Sequence, residues 1–409
     1  MLNRVWGAFF FIAFAAALVR WLVLGDDTVW AEIVGAMFEM AKTGFEISLG
    51  LTAVMCLWLG VMELGEKGGA VDWLARVFRP LLTRLFPGIP ADHPAMGSMV
   101  MNMAANMLGL DNAATPLGLK AMKELQTLNP DPESATDAQV LFLVINTSAI
   151  TLIPTTIFVY RAQLGAADPT DIFVPILVAT FCSTMAALLV TGAVQRLRLF
   201  QPVVLAYLGA MTALVGGLVW YFGSLPQELM ERRSALVSNL AVFSIVIAIL
   251  ALATYRRLPL FETFVDGAKD GFKVAIGIIP YLVGMLVAIG VLRASGALDF
   301  ALDGVRLAVE GVGIDSRWVE GLPTALMRPL SGSGARGLML ETMTTYGADS
   351  FAGRLVSVLQ GSTETTFYVL AVYFGSVGIK RTRHALPCGL VADLVGVIAA
   401  ILVTYLFFG

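Results

Sequence analysis

The chain has 409 residues, is 57% hydrophobic and only 14% charged, and carries a formal net charge of −3. Soluble domains carry about 25% charged residues, so the composition argues against a soluble fold, and the acidic balance offers no basic surface to nucleic acid. Cys56, Cys182 and Cys388 stand singly in apolar stretches, and His93 and His384 lack partners at ligand spacing, so neither a disulfide framework nor a zinc site is expected.

The apolar residues fall in long runs, which predicts an all-α polytopic membrane protein. Residues 5–24 read as an uncleaved first span, since Arg20 interrupts the far end of the run and no small-x-small cleavage site follows. Residues 28–45 look amphipathic and interfacial, and 46–64 form the next span. In 71–86, "VDWLARVFRPLLTRLF", Arg76, Arg79 and Arg84 recur at helical spacing and leave one face wet. Further spans are expected at 139–161, 170–195, 202–222, 233–254, 274–292, 355–375 and 385–407, about nine in all, with a third amphipathic stretch at 298–310.

The basic connections set the orientation. Arg4, the Arg76/Arg79/Arg84 cluster, "VQRLRLF", "TYRRLP" and "IKRTRH" all fall on the cytoplasmic side when the N-terminus is cytoplasmic. This threading requires residues 95–127 and about 322–345 each to enter and leave by one face, as re-entrant hairpins, and it places the C-terminus outside. The expected location is the cytoplasmic (inner) membrane.

The chain also repeats itself. "AKTGFEIS" (41–48) aligns with "AKDGFKVA" (268–275), and without a gap "GGAVDW" (68–73) aligns with "SGALDF" (295–300). Five spans separate the copies, so they are expected to be inverted, and inverted repeats with broken helices mark many secondary transporters. The organisation expected is an N-terminal helix over 1–27, a first repeat over 28–195, connecting helices over 196–258 and a second repeat over 259–409.

Polar residues inside the apolar runs mark the candidate site. "MRPLSGSGARG" (327–337) contains a literal G-x-G-x-x-G, but a dinucleotide fingerprint needs a preceding strand in a βαβ unit. Here Gly332, Gly334 and Gly337, with Ser331 and Ser333, suit the turn of a hairpin, whose broken hydrogen-bond ladder survives in lipid only when buried or wet. The alternative for the glycines is tight helix packing, which leaves Arg328 and Arg336 unexplained. The matching hairpin, "NMLGLDNAATPLG", with Asn102 just before it, carries Asn106, Asp111 and Asn112. These suit either solute contact or helix capping ahead of Pro116.

"INTSAITLIPTT" (145–156) holds Asn146, Thr147, Ser148, Thr151 and Thr155 around Pro154, and "LQGSTETTFYVL" (359–370) holds Gln360, Ser362, Thr363, Glu364 and Thr365. Amides suit hydrogen-bonding solutes and hydroxyl and carbonyl oxygens suit a hard cation. The substrate set is therefore Asn102, Asn106, Asp111, Asn112, Asn146, Arg328, Ser331, Ser333, Arg336, Gln360, Ser362 and Thr363, and the ion or coupling set is Thr147, Ser148, Thr151, Thr155, Glu364 and Thr365. Glu364 is the sharpest of these, because a carboxylate inside a span is expensive and functional by default; it suits Na⁺ binding, a proton relay or a pair with Arg328 or Arg336. Glu341 is expected to pair with an arginine of its own hairpin. Ser333 with distant His384 makes a poor nucleophile–base pair, so no catalytic role is expected. No cofactor is expected beyond Na⁺ or H⁺ as a coupling ion, and no metal site.

"NMLGLDNAATPLGLKAMKELQTLNP" with "NTSAITLIPTT" resembles spore maturation protein A, and "ALMRPLSGSGARG" with "QGSTETTFYVLAVYFGSVGIKRTRHALPCGLVADL" resembles spore maturation protein B. The resemblance runs from about residue 30 onward. It implies the nucleoside-recognition, or Gate, group, which is remotely similar to concentrative nucleoside transporters and to the membrane gate of ferrous-iron transport protein B. It implies two Gate units that bring hairpins and broken helices together at mid-membrane. Gate relatives often assemble, so a homo-oligomer is open. The family often has two separate chains, here fused through 202–254. The function expected is transport of a small polar organic solute, nucleoside-like compounds slightly favoured, with a passive channel or a non-transporting scaffold of spore-maturation-like role as the alternatives.

Overall fold

The computed structural model describes residues 2–90, 92–108, 111–148 and 151–409, and it is all-α, with no strand among them. In chain order the helices are α1 (Leu2–Leu24), α2 (Val29–Gly68), α3 (Ala70–Leu85), α4 (Pro94–Met107), α5 (Asp111–Gln126), α6 (Asp137–Thr147), α7 (Thr155–Gln163) and α8 (Phe173–Gln195). There follow α9 (Pro202–Gly223), α10 (Gln227–Tyr255), α11 (Leu260–Ala294), α12 (Ala297–Gly311), a 3₁₀ turn (Arg317–Gly321), α13 (Leu322–Met327), α14 (Gly332–Tyr346), α15 (Phe351–Ser362), α16 (Thr366–Gly375) and α17 (Ala385–Phe408). The run α2 to α8 and the run α11 to α17 follow the same order: long helix, amphipathic helix, hairpin, broken helix, long helix.

Among the described residues, seven helices are long and apolar enough to cross a membrane. The expected spans at 139–161 and 355–375 are instead pairs of short helices, α6 with α7 and α15 with α16. At 1.5 Å per residue, the 11 residues of α6 reach about 16 Å, half of a bilayer's hydrocarbon thickness. The breaks lie within the polar stretches 145–156 and 359–370. The expected interfacial stretch at 28–45 is not a separate element. It runs straight into the next span, because no proline or left-handed glycine interrupts Val29–Gly68, and 40 residues reach about 60 Å. α1, α9 and α10 present large exposed apolar side chains, such as Phe11, Trp220 and Phe243. That surface suits lipid and would be a liability in water.

Contacts between α2 and α11 follow the sequence repeat. An added Cβ on Gly44 would stand 3.1 Å from the Val283 Cα, and one on Gly271 would stand 2.8 Å from the Cys56 Cα. Gly271 is the counterpart of Gly44, and Val283 of Cys56, so each contact is the other with the repeats exchanged. Gly267 against Glu63 and Gly290 against Met40 form a second exchanged pair. Partner numbers fall along α11 as they rise along α2, so the helices run antiparallel, and exchanged contacts of this kind are what a local two-fold relation produces. Both long helices end on a left-handed glycine, Gly69 (φ 84°) and Gly296 (φ 80°), which only glycine adopts at little cost. These are the glycines of the aligned "GGAVDW" and "SGALDF".

The chain divides into two compact units. One comprises 1–57, 156–169 and 268–360; the other comprises 58–155, 170–267 and 361–409. Each unit thus holds the hairpin of one run together with the distal half of the other run's broken helix. In the first unit, α11 packs Met285 and Ile289 against Met327, Ala335 and Leu338 of the α13–α14 hairpin. The outer end of α7 is held there by Arg161, which donates to the Ala348 carbonyl at 2.7 Å and to Asp349 Oδ1 at 3.1 Å. In the second unit, one core joins α3, α4, α5, α6, α8, α16 and α17. The segment after α16 is held by backbone bonds from Lys380 and Arg381 to the Glu133 carbonyl and from Ala135 to the Arg381 carbonyl, at 2.9–3.0 Å.

Candidate functional site

The second unit brings one hairpin end and both helix breaks together. α4 ends at Met107, whose carbonyl accepts a 2.8 Å bond from the Leu152 N–H in the first break. α6 ends at Thr147, whose carbonyl accepts a 2.7 Å bond from the Glu364 N–H in the second break. A terminal carbonyl that lacks an intrahelical donor is thus satisfied by the opposite interruption, which is how broken helices are tolerated away from water. α8 closes the first break from outside, with Thr184 and Thr180 hydroxyls donating to the Ser148 carbonyl at 2.8 and 3.3 Å. α17 closes the second, where the Thr366 hydroxyl donates to Asp393 Oδ2 at 2.7 Å.

The expected site residues of this unit fall on these elements. Asn102, fully buried in α4, donates to the Ala114 carbonyl of α5 at 2.8 Å and so ties the hairpin's arms. Asn106 donates to Asn146 Oδ1 at 2.8 Å, and Asn146 passes the chain on to the Phe142 carbonyl. The Thr147 and Ser148 hydroxyls donate back into their own helix, to Val144 and Ile145, leaving oxygen lone pairs to face a partner. Thr155, Ser362, Thr363 and Thr365 are buried, while Thr151 and Glu364 are half-buried. α5 begins at Asp111; the side chains of Asp111 and Asn112, and residues 109, 110, 149 and 150 within the two expected interruptions, lie outside the described ones.

The first unit holds the other candidates. Ser331 caps α14 and accepts from the Gly334 N–H at 3.1 Å, with the Ser333 hydroxyl 3.3 Å away. An added Cβ on Gly334 would meet Met327 across the hairpin at 3.0 Å, and one on Gly337 would meet Met285 of α11 at 2.9 Å. Gly334 and Gly337 of the G-x-G-x-x-G string therefore allow close packing, and the string opens helix α14 in an all-α setting with no preceding strand among the described residues. Arg336 lies over the Tyr160 ring, 5.7 Å from its centroid. Arg328 and Gln360 are buried. Glu341 pairs with Arg293 of α11 rather than with a hairpin arginine, since Arg293, itself tied to Asp299, reaches it first.

The family described as Gate, nucleoside recognition, matches residues 48–166 and 275–380, more than half of the chain. The chain belongs to the Gate family. The two matched segments contain both hairpins and both broken helices. Spore maturation protein B of Bacillus subtilis (strain 168) is 53% identical over 172 residues, covering 42% of this chain and 95% of that protein. Spore maturation protein A of the same organism is 44% identical over 159 residues, covering 39% of this chain and 81% of that protein. No solved structure matches the chain.

Some groups of this Gate chain escaped the sequence reading. Asp393, 4% exposed and bonded to Thr366, sits in the apolar stretch "GLVADLVGV", where a carboxylate alone was signal enough. Arg161, with no exposed surface, was lost at the end of a span because terminal arginines ordinarily snorkel. Thr180 and Thr184 carried no signal, since nothing in an unbroken apolar run shows which face meets a break.

Proposed function

We propose that this multi-pass membrane protein is a secondary transporter of a small polar organic solute, nucleoside-like compounds favoured, coupled to Na⁺ or H⁺. The observation that carries the reading is the junction of the two breaks, the 2.7 Å bond from the Glu364 N–H to the Thr147 carbonyl, with buried hydroxyls on both sides of it. Interrupted helices lend polar backbone to a cavity where an unbroken helix has none to spare. In this reading Asn146, Ser362 and Thr363 contact the solute, Thr147, Ser148, Thr151, Thr155 and Thr365 offer oxygens to a cation, and Glu364 couples. No catalytic step is assigned. The membrane is the inner one, with the N-terminus cytoplasmic and the C-terminus outside, from the placement of arginines.

The test is a thermal-stability panel on the purified chain with nucleosides, nucleobases, amino acids and dicarboxylates, each in Na⁺ and in K⁺, followed by uptake into proteoliposomes. A solute at 100 times its Kd stabilises by about 2.7 kcal/mol. The expected result is one solute class that stabilises and is taken up, with uptake lost in Glu364→Gln while the fold persists. Uptake unchanged in that variant means a passive channel. A folded protein that binds and moves nothing supports the second reading, a scaffold of spore-maturation-like role, which the names of the two relatives favour.

A further inference from the structure

The second unit contains a partly open cavity of about 100 Å³ between α3, α4, α6, α8 and α9. Thirteen of its sixteen lining residues are apolar, among them Phe78, Leu81, Leu82 and Leu85 of α3 and Leu208 and Met211 of α9. The three polar ones, Asn106, Asn146 and Thr184, all donate inward to protein acceptors. The cavity therefore suits an apolar guest, and its volume approaches the roughly 150 Å³ of an engineered cavity that admits benzene.

The opposite face of α3 is cationic. Arg76, Arg79 and Arg84 are exposed, and among the described residues no acidic side chain pairs with them. The helix's own acid, Asp72, is engaged by Arg256 at 3.2 Å. Arg79 and Arg84 each lie three residues from a cavity-lining leucine, Leu82 and Leu81, which is about 60° around the helix. They border the apolar face on either side, and Trp73 stands exposed at the start of the helix. α12, the counterpart of α3, is built otherwise. It carries Asp299, Asp303 and Glu310 against one arginine, Arg306, which is paired with Asp303 and Glu320.

We propose that α3 is a binding site for an anionic phospholipid, with the headgroup phosphate held by Arg76, Arg79 and Arg84 and a segment of one acyl chain in the cavity behind the helix. Three exposed cations beside an apolar slot match a ligand that is anionic at one end and apolar at the other. A free phosphate leaves the slot without an occupant, and a zwitterionic lipid leaves the arginines without a net anion. The cavity shares Asn146 with the solute site proposed at the breaks, but the proposal does not rest on that reading.

Native mass spectrometry of the detergent-solubilised full chain, with phosphatidylglycerol and phosphatidylcholine of identical acyl chains, tests this. Each arginine near a lipid surface contributes about fivefold in affinity. The wild type is expected to prefer phosphatidylglycerol by tenfold or more, and R76Q/R79Q/R84Q, altered only on an exposed face, by twofold or less. Ala104→Met, which narrows the cavity, is expected to weaken binding of both lipids while the preference persists. Equal binding of the two lipids by the wild type overturns the proposal, as does a preference that survives in the triple variant. Displacement of phosphatidylglycerol by millimolar inorganic phosphate reassigns the site to free phosphate. Undiminished binding in a folded Ala104→Met removes the acyl chain from the cavity.

Discussion

The two broken helices end in fastenings built on opposite plans. α7 is fastened by one guanidinium with no exposed surface, Arg161, set among the Ala348 carbonyl and Asp349, whose other carboxylate oxygen accepts from the Ala167 N–H at 2.8 Å. The segment after α16 is fastened by an isolated β-bridge, Ser134 to Arg381, and a fringe of exposed pairs: Lys380 with Glu133 and Arg381 with Asp131, both at 2.6 Å, and Arg383 with Asp137 at 2.8 Å. A buried cation that loses its partner costs several kcal/mol, whereas exposed pairs contribute about 0–1 kcal/mol each. The first fastening therefore depends on one residue, and the second is spread over many.

The largest expected effect follows directly. Asp349→Ala removes an anionic partner from the buried Arg161 and is expected to destabilise the protein by about 3 kcal/mol, the low end of the range because Asp349 is itself partly exposed. Thermal unfolding in detergent measures it, and a loss below 1 kcal/mol would show that the remaining partners of Arg161 hold it without Asp349. Next comes the bond that joins α4 to α6. Asn146→Leu strands the Asn106 donor and is expected to cost about 2 kcal/mol. The double variant Asn106→Leu/Asn146→Leu should recover part of that loss, because removing both partners is milder than removing one. A purely additive pair would mean that the two amides do not share a bond.

The places where the sequence was readable share a cause. The breaks were visible because Pro154, a run of hydroxyls and a lone carboxylate have few uses in lipid, so composition alone located them. The repeat was visible where glycine was required by conformation or contact: Gly69 and Gly296 at positive φ, Gly44 and Gly271 against a neighbouring backbone. What remained hidden depends on partners distant in sequence. Nothing local marks Arg161 as buried until Ala348 and Asp349 arrive, and nothing in "KTGFEISLG" says whether the helix stops at an interface or continues. The interleaving of the two units was illegible for the same reason: each broken helix is divided between units by packing that its own residues do not announce.

The smaller effects probe the distributed fastening. Lys380→Ala or Arg381→Ala is expected to cost less than about 1 kcal/mol, and the difference from wild type should fade in high salt, since exposed pairs are screened. A salt-insensitive loss of 3 kcal/mol would put this fastening in the same class as Arg161. His384 gives it a weak pH dependence. It stands just before α17, where the Gln195 Nε2 lies 2.9 Å from its Nε2, an arrangement that needs a neutral ring. Burial first, and then the neighbouring Arg383, hold its pKa below the ordinary 6.5, with Asp137 pulling the other way. The unfolded chain therefore binds the proton more readily than the folded one, so stability rises with pH through this window and falls as pH drops below 6.5. Replacing His384 with Gln should remove that slope from the unfolding curve between pH 5 and 7 while leaving the Asp349→Ala loss unchanged; a slope that persists would assign the titration to another group.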